Sequence, residues 1–164
     1  MTVEIRRITE HDIVGFREAT DAVARERRFL ALIEAPPIEE TAAFVRDNLA
    51  RANPSFVAVD GERIVGWCDI VRNERRAIYR HRGTVGMGLI AAYRGHGIGG
   101  RLLQAAIDAA MAGGMTRIEL TVRADNEVAT KLYLRLGFEL EGYHRNTDCI
   151  DGVYYDTRSM ALLA

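Results

Sequence analysis

Cysteine is scarce in this sequence, and its two copies, Cys68 and Cys149, lie far apart in the chain. That spacing fits neither a disulfide framework nor a paired-cysteine metal motif, so we expect a reduced protein of the cytoplasm. The four histidines, at positions 11, 81, 96 and 144, also lack metal-ligand spacing. The sequence therefore predicts a protein without a metal.

Long apolar runs and an excess of one charge are missing as well. No stretch approaches the ~20 apolar residues that a transmembrane helix requires. Met1 to Ile8 alternates apolar with charged residues, unlike a secretory signal. The formal net charge of -1 gives no electrostatic attraction to nucleic acid or to anionic lipid. We therefore expect no membrane and no nucleic-acid partner.

The chain has 164 residues, of which 48% are hydrophobic and 27% charged. This is enough to bury a core but too little for two ordinary domains, so we expect one α/β domain over residues 1–164. The apolar pattern predicts helices from Thr9 or Asp12 to about Arg28, at 39–50, at 98–111 and from Asp125-Asn126 to Leu136. Strands are predicted at 3–8, 55–59, 63–71, about 79–91, 117–123, 138–142 and 153–162.

One loop carries the main functional signal. Between a predicted strand and a predicted helix the chain reads Arg94-Gly95-His96-Gly97-Ile98-Gly99-Gly100. Glycine lets backbone amides approach phosphate oxygens without a Cβ clash, and the amino end of the next helix carries a partial positive charge. The loop therefore predicts a site for a pyrophosphate-bearing cofactor. Arg94 adds a charge at its mouth, and His96 fills a variable position.

A dinucleotide site is the rival interpretation. Gly95-x-Gly97-x-x-Gly100 satisfies the spacing of that fingerprint, and Glu119 follows 19 residues later, near where a ribose-binding acid belongs. In such a site, however, the first glycine follows its strand almost directly, whereas residues 91–94 intervene here. The predicted strand also continues past Glu119. A P-loop is excluded because the chain contains no Gly-Lys-Ser or Gly-Lys-Thr.

The order of elements and two motifs resemble the GCN5-related N-acetyltransferase (GNAT) family over essentially the whole chain. Residues 94–99 match its pyrophosphate signature, and a second signature follows at Asn126, Ala129, Leu132-Tyr133 and Leu136-Gly137-Phe138. The resemblance implies an α/β fold with a mixed central sheet of about seven strands and about four flanking helices. Its central strands would splay apart and hold acetyl-CoA, the acetyl donor, between them.

The same resemblance implies roles for single residues. The strand amides around Leu89 and Ala91 would bind the pantetheine arm together with Asn126, and Arg94, Gly95, His96, Gly97, Ile98 and Gly99 would bind the pyrophosphate. Tyr133 matches the family's catalytic tyrosine and would protonate the departing thiolate, since a phenol of pKa ~10 keeps its proton at neutral pH. The alternatives are helix capping for Asn126 and a half-buried helix aromatic for Tyr133.

No general base is evident on the strand before the loop. Some family members carry a glutamate there, but Thr84 to Ala91 contains neither carboxylate nor histidine. Gly86 and Gly88 on that strand indicate either close cofactor approach or tight packing. Glu119 is the nearest candidate base, acting directly or through water, with pairing to an arginine as its alternative. Without a strong base, deprotonation at pH 7 costs ~4.6 kcal/mol for a lysine but only ~1.4 for an α-amine, which favours an α-amine acceptor.

In the fold that the resemblance implies, Arg25 to Pro37 and Gly142 to Tyr155 would form the acceptor side. Their arginines suit a substrate carboxylate, although a solvated basic face is the alternative. The hypothesis is direct transfer from acetyl-CoA to a primary amine, the α-amine of a small amino acid or analogue. N-terminal acetylation of a protein and a CoA-binding sensor without turnover stay as alternatives. Family members of this size are often homodimers.

Overall fold

The computed structural model describes residues 2–164, so Met1 lies outside it. Seven strands form one mixed sheet: β1 (Val3–Arg7), β2 (Ser55–Asp60), β3 (Arg63–Arg72), β4 (Arg82–Leu89), β5 (Arg117–Arg123), β6 (Glu139–Ile150) and β7 (Val153–Leu163). Their order across the sheet is β1-β2-β3-β4-β5-β7-β6. The α-helices of the described chain are α1 (Ile13–Ala24), α2 (Ile38–Ala50), α3 (Ile98–Ala112) and α4 (Glu127–Arg135). The predicted sheet with four helices is confirmed.

Each face of the sheet buries its own apolar cluster, because side chains alternate between the faces along a strand. α3 covers one face, where Cys68 and Ile70 of β3 join its buried leucines and Tyr133 of α4. α1 and α2 cover the other face, where Phe16 packs edge-on against Trp67 with 5.8 Å between ring centroids. Since Asp69 alternates with Cys68 and Ile70, it lies on the α1 and α2 face.

The centre of the sheet opens between β4 and β5. These strands pair in parallel at three positions only, from Arg82 with Arg117 to Thr84 with Glu119. Beyond them β4 stays paired with β3 up to Leu89, and β5 stays paired with β7 up to Arg123. The two strands therefore diverge and leave a gap, which confirms the expected splay.

Three predicted elements have the wrong bounds. The strand predicted at 79–91 is only β4, because residues 77–79 and 91–93 form short 3-10 turns, and Ala91 begins the second of them. α1 ends at Ala24 before Arg27, whose φ of +54° is not helical. The strand predicted at 138–142 continues to Ile150. It ends at the turn of Asp151 and Gly152, whose φ values of +51° and +79° suit a two-residue hairpin.

Packing at the sheet centre can be tested with one methylene group. Ile118 of β5 is fully buried, and we expect Ile118→Val to lower the free energy of unfolding by about 1 kcal/mol, since it loses apolar contact and leaves a small cavity. Urea denaturation followed by circular dichroism measures the change. The matched control is Ile78→Val at a side chain that is 68% exposed, where we expect less than about 0.5 kcal/mol. Equal effects at both positions would contradict this packing.

Candidate active site

The glycine loop joins β4 to α3, as predicted. Gly95 has φ +79° and Gly97 φ +76°, a region that L side chains rarely adopt. No heavy atom lies within 4 Å of a Cβ built at either position, so backbone conformation rather than crowding requires glycine. Gly97 precedes α3 directly, and the first amides of a helix have no acceptor within it. These amides and the positive end of α3 form a surface suited to an anion.

Arg94 is engaged within the chain rather than at this surface. Its Nη1 and Nη2 donate to the carboxylate of Glu26 at 2.9 and 2.7 Å, and its Nε donates to the Leu89 carbonyl at 2.9 Å. The Arg94 amide donates to the Ala91 carbonyl at 3.2 Å. The guanidinium therefore ties the loop to the segment after α1. A phosphate-binding role for Arg94 stays a prediction that these contacts do not favour.

The Leu89 amide faces the gap. The amide of Ile90 donates to the Val65 carbonyl on β3 at 2.9 Å, and alternate residues of an antiparallel strand face opposite edges. The main-chain groups of Met87 and Leu89 therefore point away from β3, toward the side from which β5 has diverged. This direction suits the role expected of Leu89. Ala91 lies beyond the strand, in the turn that leads to the glycine loop.

Tyr133 lies beneath the sheet on the α3 side. It is 7% exposed, and its ring centroid lies 5.8 Å from that of Phe138. Burial raises the pKa of its phenol above the ordinary value, so the hydroxyl keeps its proton at neutral pH. The unpartnered and fully enclosed side-chain atoms of residues 2–164 belong to Asn48, Arg82 and Arg123. The Tyr133 hydroxyl is not among them, so it is not fully enclosed. Its role as proton donor stays a prediction.

Glu119 and Asn126 both make contacts inside the chain. Glu119 accepts a hydrogen bond from Arg117 Nε at 2.8 Å and lies 3.9 Å from Arg82 Nε. Asn126 Oδ1 accepts from the Ala129 amide at 3.2 Å and caps α4. These are the ion-paired and helix-capping alternatives for the two residues. Their roles as general base and as pantetheine ligand stay predictions.

The sequence analysis missed Asp69. This residue lies in the middle of β3, is only 6% exposed and is the register partner of Gly86 on β4. A Cβ at Gly86 would lie 3.0 Å from Asp69 Oδ1, so the carboxylate covers the glycine. Burial raises the pKa of Asp69 from 3.8 to about 7. A signal was available, because Asp69 is the one charged residue in the apolar run from Ile64 to Val71.

The glycines of β4 make room for side chains of β3. A Cβ at Gly88 would collide with the Trp67 ring, and Asp69 likewise occupies the space over Gly86. Tight packing, one of the two interpretations of these glycines, therefore accounts for both. It also leaves β4 without side-chain bulk on the α1 and α2 face beside the gap.

Glu26 and Arg27 make contacts on both sides of the gap. Glu26 binds Arg94, which follows β4. Arg27 donates to the Asp151 carboxylate in the β6–β7 turn at 2.7 and 3.0 Å. After β5, the Arg123 guanidinium and, more weakly, Arg28 lower the pKa of Asp125. The segment between α1 and α2 therefore connects the loop after β4 with the β6–β7 turn.

Metal and thiol chemistry have no evident centre in the described chain. Among residues 2–164, no group of three or more His, Cys, Asp or Glu side chains is placed to hold a metal ion. Cys68 and Cys149 are both free, and burial raises the pKa of the Cys68 thiol, which disfavours the reactive thiolate. No helix within residues 2–164 has both the length and the apolar character needed to cross a bilayer.

Known proteins share this sequence pattern and fold. The model of the Acetyltransferase (GNAT) family matches residues 18–138. N-alpha-acetyltransferase 30 of Schizosaccharomyces pombe is 38% identical over 112 residues, which cover 62% of this chain and 71% of that protein. N-alpha-acetyltransferase RimI of Mycobacterium tuberculosis is 35% identical over 111 residues, 68% of each chain. A GNAT-family acetyltransferase from Streptococcus pneumoniae superposes with a TM-score of 0.93 at 27% identity, covering 99% of this chain and 100% of that one. The chain therefore belongs to the GNAT acetyltransferase family and is an N-acetyltransferase.

Proposed function

We propose that this enzyme transfers the acetyl group of acetyl-CoA directly to the α-amine of a small amino acid or analogue. The donor lies in the gap between β4 and β5, with its pyrophosphate on the amides of residues 95–99. Its pantetheine arm follows β4 past the free edge at Leu89 and reaches Asn126. The positive φ values of Gly95 and Gly97 and the divergence of the two strands support this placement.

The contacts of Glu26 and Arg27 across the gap carry the proposal of a small acceptor. Glu26 reaches the loop after β4, and Arg27 reaches Asp151 in the β6–β7 turn. Together these contacts enclose the acceptor side of the gap. A bounded pocket suits a small amine, whereas a polypeptide needs an open groove for the chain that follows its first residue. Arg28 beside this opening supplies a positive charge for an amino-acid carboxylate.

N-terminal acetylation of a protein is the second candidate, because two relatives are named N-alpha-acetyltransferases. A peptide would require the Arg27–Asp151 contact to open. Both side chains are largely exposed, at 42% and 66%, and a pair of this kind contributes about 0–1 kcal/mol. Opening therefore costs little free energy, and acceptor assays distinguish the two candidates.

Release of the CoA thiol distinguishes the candidates when it is measured across α-amino acids, polyamines and tetrapeptides. We expect amino acids to be acetylated with a kcat/KM at least tenfold above that of any tetrapeptide. Turnover restricted to peptides would favour the N-terminal enzyme. Tight binding of acetyl-CoA without turnover of any amine would favour the sensor.

Asp151→Asn tests whether the Arg27–Asp151 contact limits the size of the acceptor. Asparagine tolerates the positive φ of this turn, so the substitution chiefly removes the charge. We expect the kcat/KM ratio of tetrapeptide to amino acid to rise about two- to fivefold, the range that a weak exposed ion pair allows. Asp148→Asn in the same hairpin is the control, since Asp148 has no described ion pair, and its ratio should stay at the wild-type value. An unchanged ratio in Asp151→Asn would show that the Arg27–Asp151 contact does not determine which acceptor is preferred.

A further inference from the structure

Asp69 brings a carboxylate to the level at which the sheet opens. The last pair between β4 and β5 is Thr84 with Glu119, and Gly86 is the second residue beyond it. Asp69 pairs with Gly86 across β3 and β4, and its Oδ1 lies 3.0 Å from the position that a Cβ of Gly86 would take. Because Gly86 has no side chain, β3 supplies the carboxylate that β4 lacks beside the gap.

The Asp69 carboxylate is unpaired but not fully enclosed. No described residue donates a hydrogen bond to it, and its oxygens are not among the side-chain atoms that are both fully enclosed and unpartnered, which belong to Asn48, Arg82 and Arg123. Its neighbours are neutral: Ser55 on β2 and Gly86 on β4 are its register partners. The buried faces of α1 and α2 also carry no charge; they consist of Ile13, Phe16, Ala19, Thr20, Val23, Ala24, Thr41, Val45 and Asn48. A structural carboxylate would be expected to hold a cation or several donors here.

Asp69 and Tyr133 approach the gap from opposite faces of the sheet. Tyr133 belongs to the cluster on the α3 face, together with Cys68, whereas Asp69 shares the α1 and α2 face with Trp67. Residues 26–28 bound the acceptor side on that second face. We propose that Asp69 is the general base that takes a proton from the acceptor amine. This assignment rests on the proposed transfer of acetyl from acetyl-CoA to an amine.

The proposed step balances through these two groups. The amine lone pair forms the N–C bond at the thioester carbonyl, and the C–S bond breaks with its electron pair leaving on sulfur. One amine proton passes to the Asp69 carboxylate, and the Tyr133 hydroxyl gives its proton to the thiolate. Asp69 then releases its proton to solvent, Tyr133 regains one, and the products are the amide and the CoA thiol. Glu119, held by Arg117 and Arg82, takes no part in these proton transfers.

Burial makes this carboxylate a better base than an ordinary aspartate. The pKa of Asp69 is raised from 3.8 to about 7, and a general base works best when its pKa is close to the working pH. Above pH 7 the carboxylate is mostly ionised and ready to accept a proton; below it, the group is mostly protonated and inactive. The rate should therefore rise with pH through this value.

Asp69→Asn is the first test. We expect kcat to fall by about tenfold to 100-fold at pH 8, with the dissociation constant of acetyl-CoA unchanged by calorimetry. In the wild type, kcat/KM should show an inflection near pH 7 that stays in place when acceptors of different α-amine pKa are compared, and the variant should lose it. An inflection that follows only the amine, together with a variant as fast as wild type, would overturn the assignment. Absence of any amine turnover in the wild type would instead refute the proposed function.

Stability separates a catalytic role from a structural one. Because the pKa of Asp69 is raised in the folded state, that state holds a proton which the unfolded chain releases between about pH 4 and 7. Folded stability therefore decreases as the pH rises through this window, and Asp69→Asn should remove that decrease. We expect the melting temperature of the variant at pH 8 to equal or exceed that of the wild type. A lower melting temperature with proportionally lost activity would indicate a structural residue.

Moving the carboxylate to the neighbouring strand provides the converse test. In the double variant, Asp69→Ala removes the β3 carboxylate from the space over residue 86, and Gly86→Asp supplies a carboxylate there from β4. Gly86 does not have a positive φ, so an aspartate is compatible with its backbone. We expect the double variant to regain at least tenfold in kcat over Asp69→Ala alone, with Gly86→Asp alone as control. A folded double variant as inactive as Asp69→Ala would count against a base at this position.

Discussion

Tyr133→Phe is expected to lower kcat by about 10²-fold or more while the affinity for acetyl-CoA is retained. The phenol is the proposed proton donor on the α3 face, and loss of a general acid typically costs about 10²–10⁴-fold. Phenylalanine keeps the ring that packs against Phe138 at a centroid distance of 5.8 Å. The fold should therefore survive, and the loss should fall on the chemical step.

Stopped-flow or steady-state thiol release measures kcat, and calorimetry measures acetyl-CoA binding. Tyr79→Phe is the matched control, because it removes a hydroxyl from the turn before β4 and keeps the ring against Arg82. Since burial raises the pKa of Tyr133 above the ordinary ~10, the wild-type rate should not decline from loss of this proton below about pH 10. A folded Tyr133→Phe enzyme with wild-type kcat would remove Tyr133 from the mechanism.

The sequence predicted the parts of the site that local pattern determines. Gly95 and Gly97 were identified by spacing, and both occupy backbone regions that favour glycine. The strand at 117–123 and the start of α3 at Ile98 were predicted correctly, because apolar alternation and a glycine before a helix are local signals. Ala91 was assigned to a strand because apolar residues continue past Leu89, although a 3-10 turn follows.

Contacts between distant segments could not be predicted in this way. Arg94 was expected at the phosphate, but Glu26, 68 residues away, holds its guanidinium, and no local pattern encodes that pairing. Asp69 differs, since a carboxylate inside an apolar strand is visible in the sequence. Its position beside the gap is not visible there, because only the register of two strands brings this β3 side chain over Gly86.

Gly97→Asp is expected to weaken acetyl-CoA binding by about 10²-fold. The new carboxylate would stand before the first amides of α3, where it repels the pyrophosphate and competes with it for the same N–H groups, as a helix-capping aspartate does. A non-glycine residue at φ +76° also costs roughly 1–2 kcal/mol. Capping offsets part of that cost, so the loss of affinity should exceed the loss of stability.

Two further variants divide this effect into its causes. Gly97→Asn has nearly the same size and backbone tolerance without the charge, and we expect about a tenfold weaker affinity. Gly114→Asp places the same residue at φ +85°, beyond the far end of α3, and should lose stability but bind acetyl-CoA normally. Titration calorimetry gives all three affinities, and thermal denaturation gives the stabilities. Gly97 adjoins the amides of residues 95–99, whereas Gly114 does not. Near-normal binding of acetyl-CoA by Gly97→Asp would therefore exclude these amides as the pyrophosphate site. Uptake of NADH in place of acetyl-CoA by the wild type would exclude them as well.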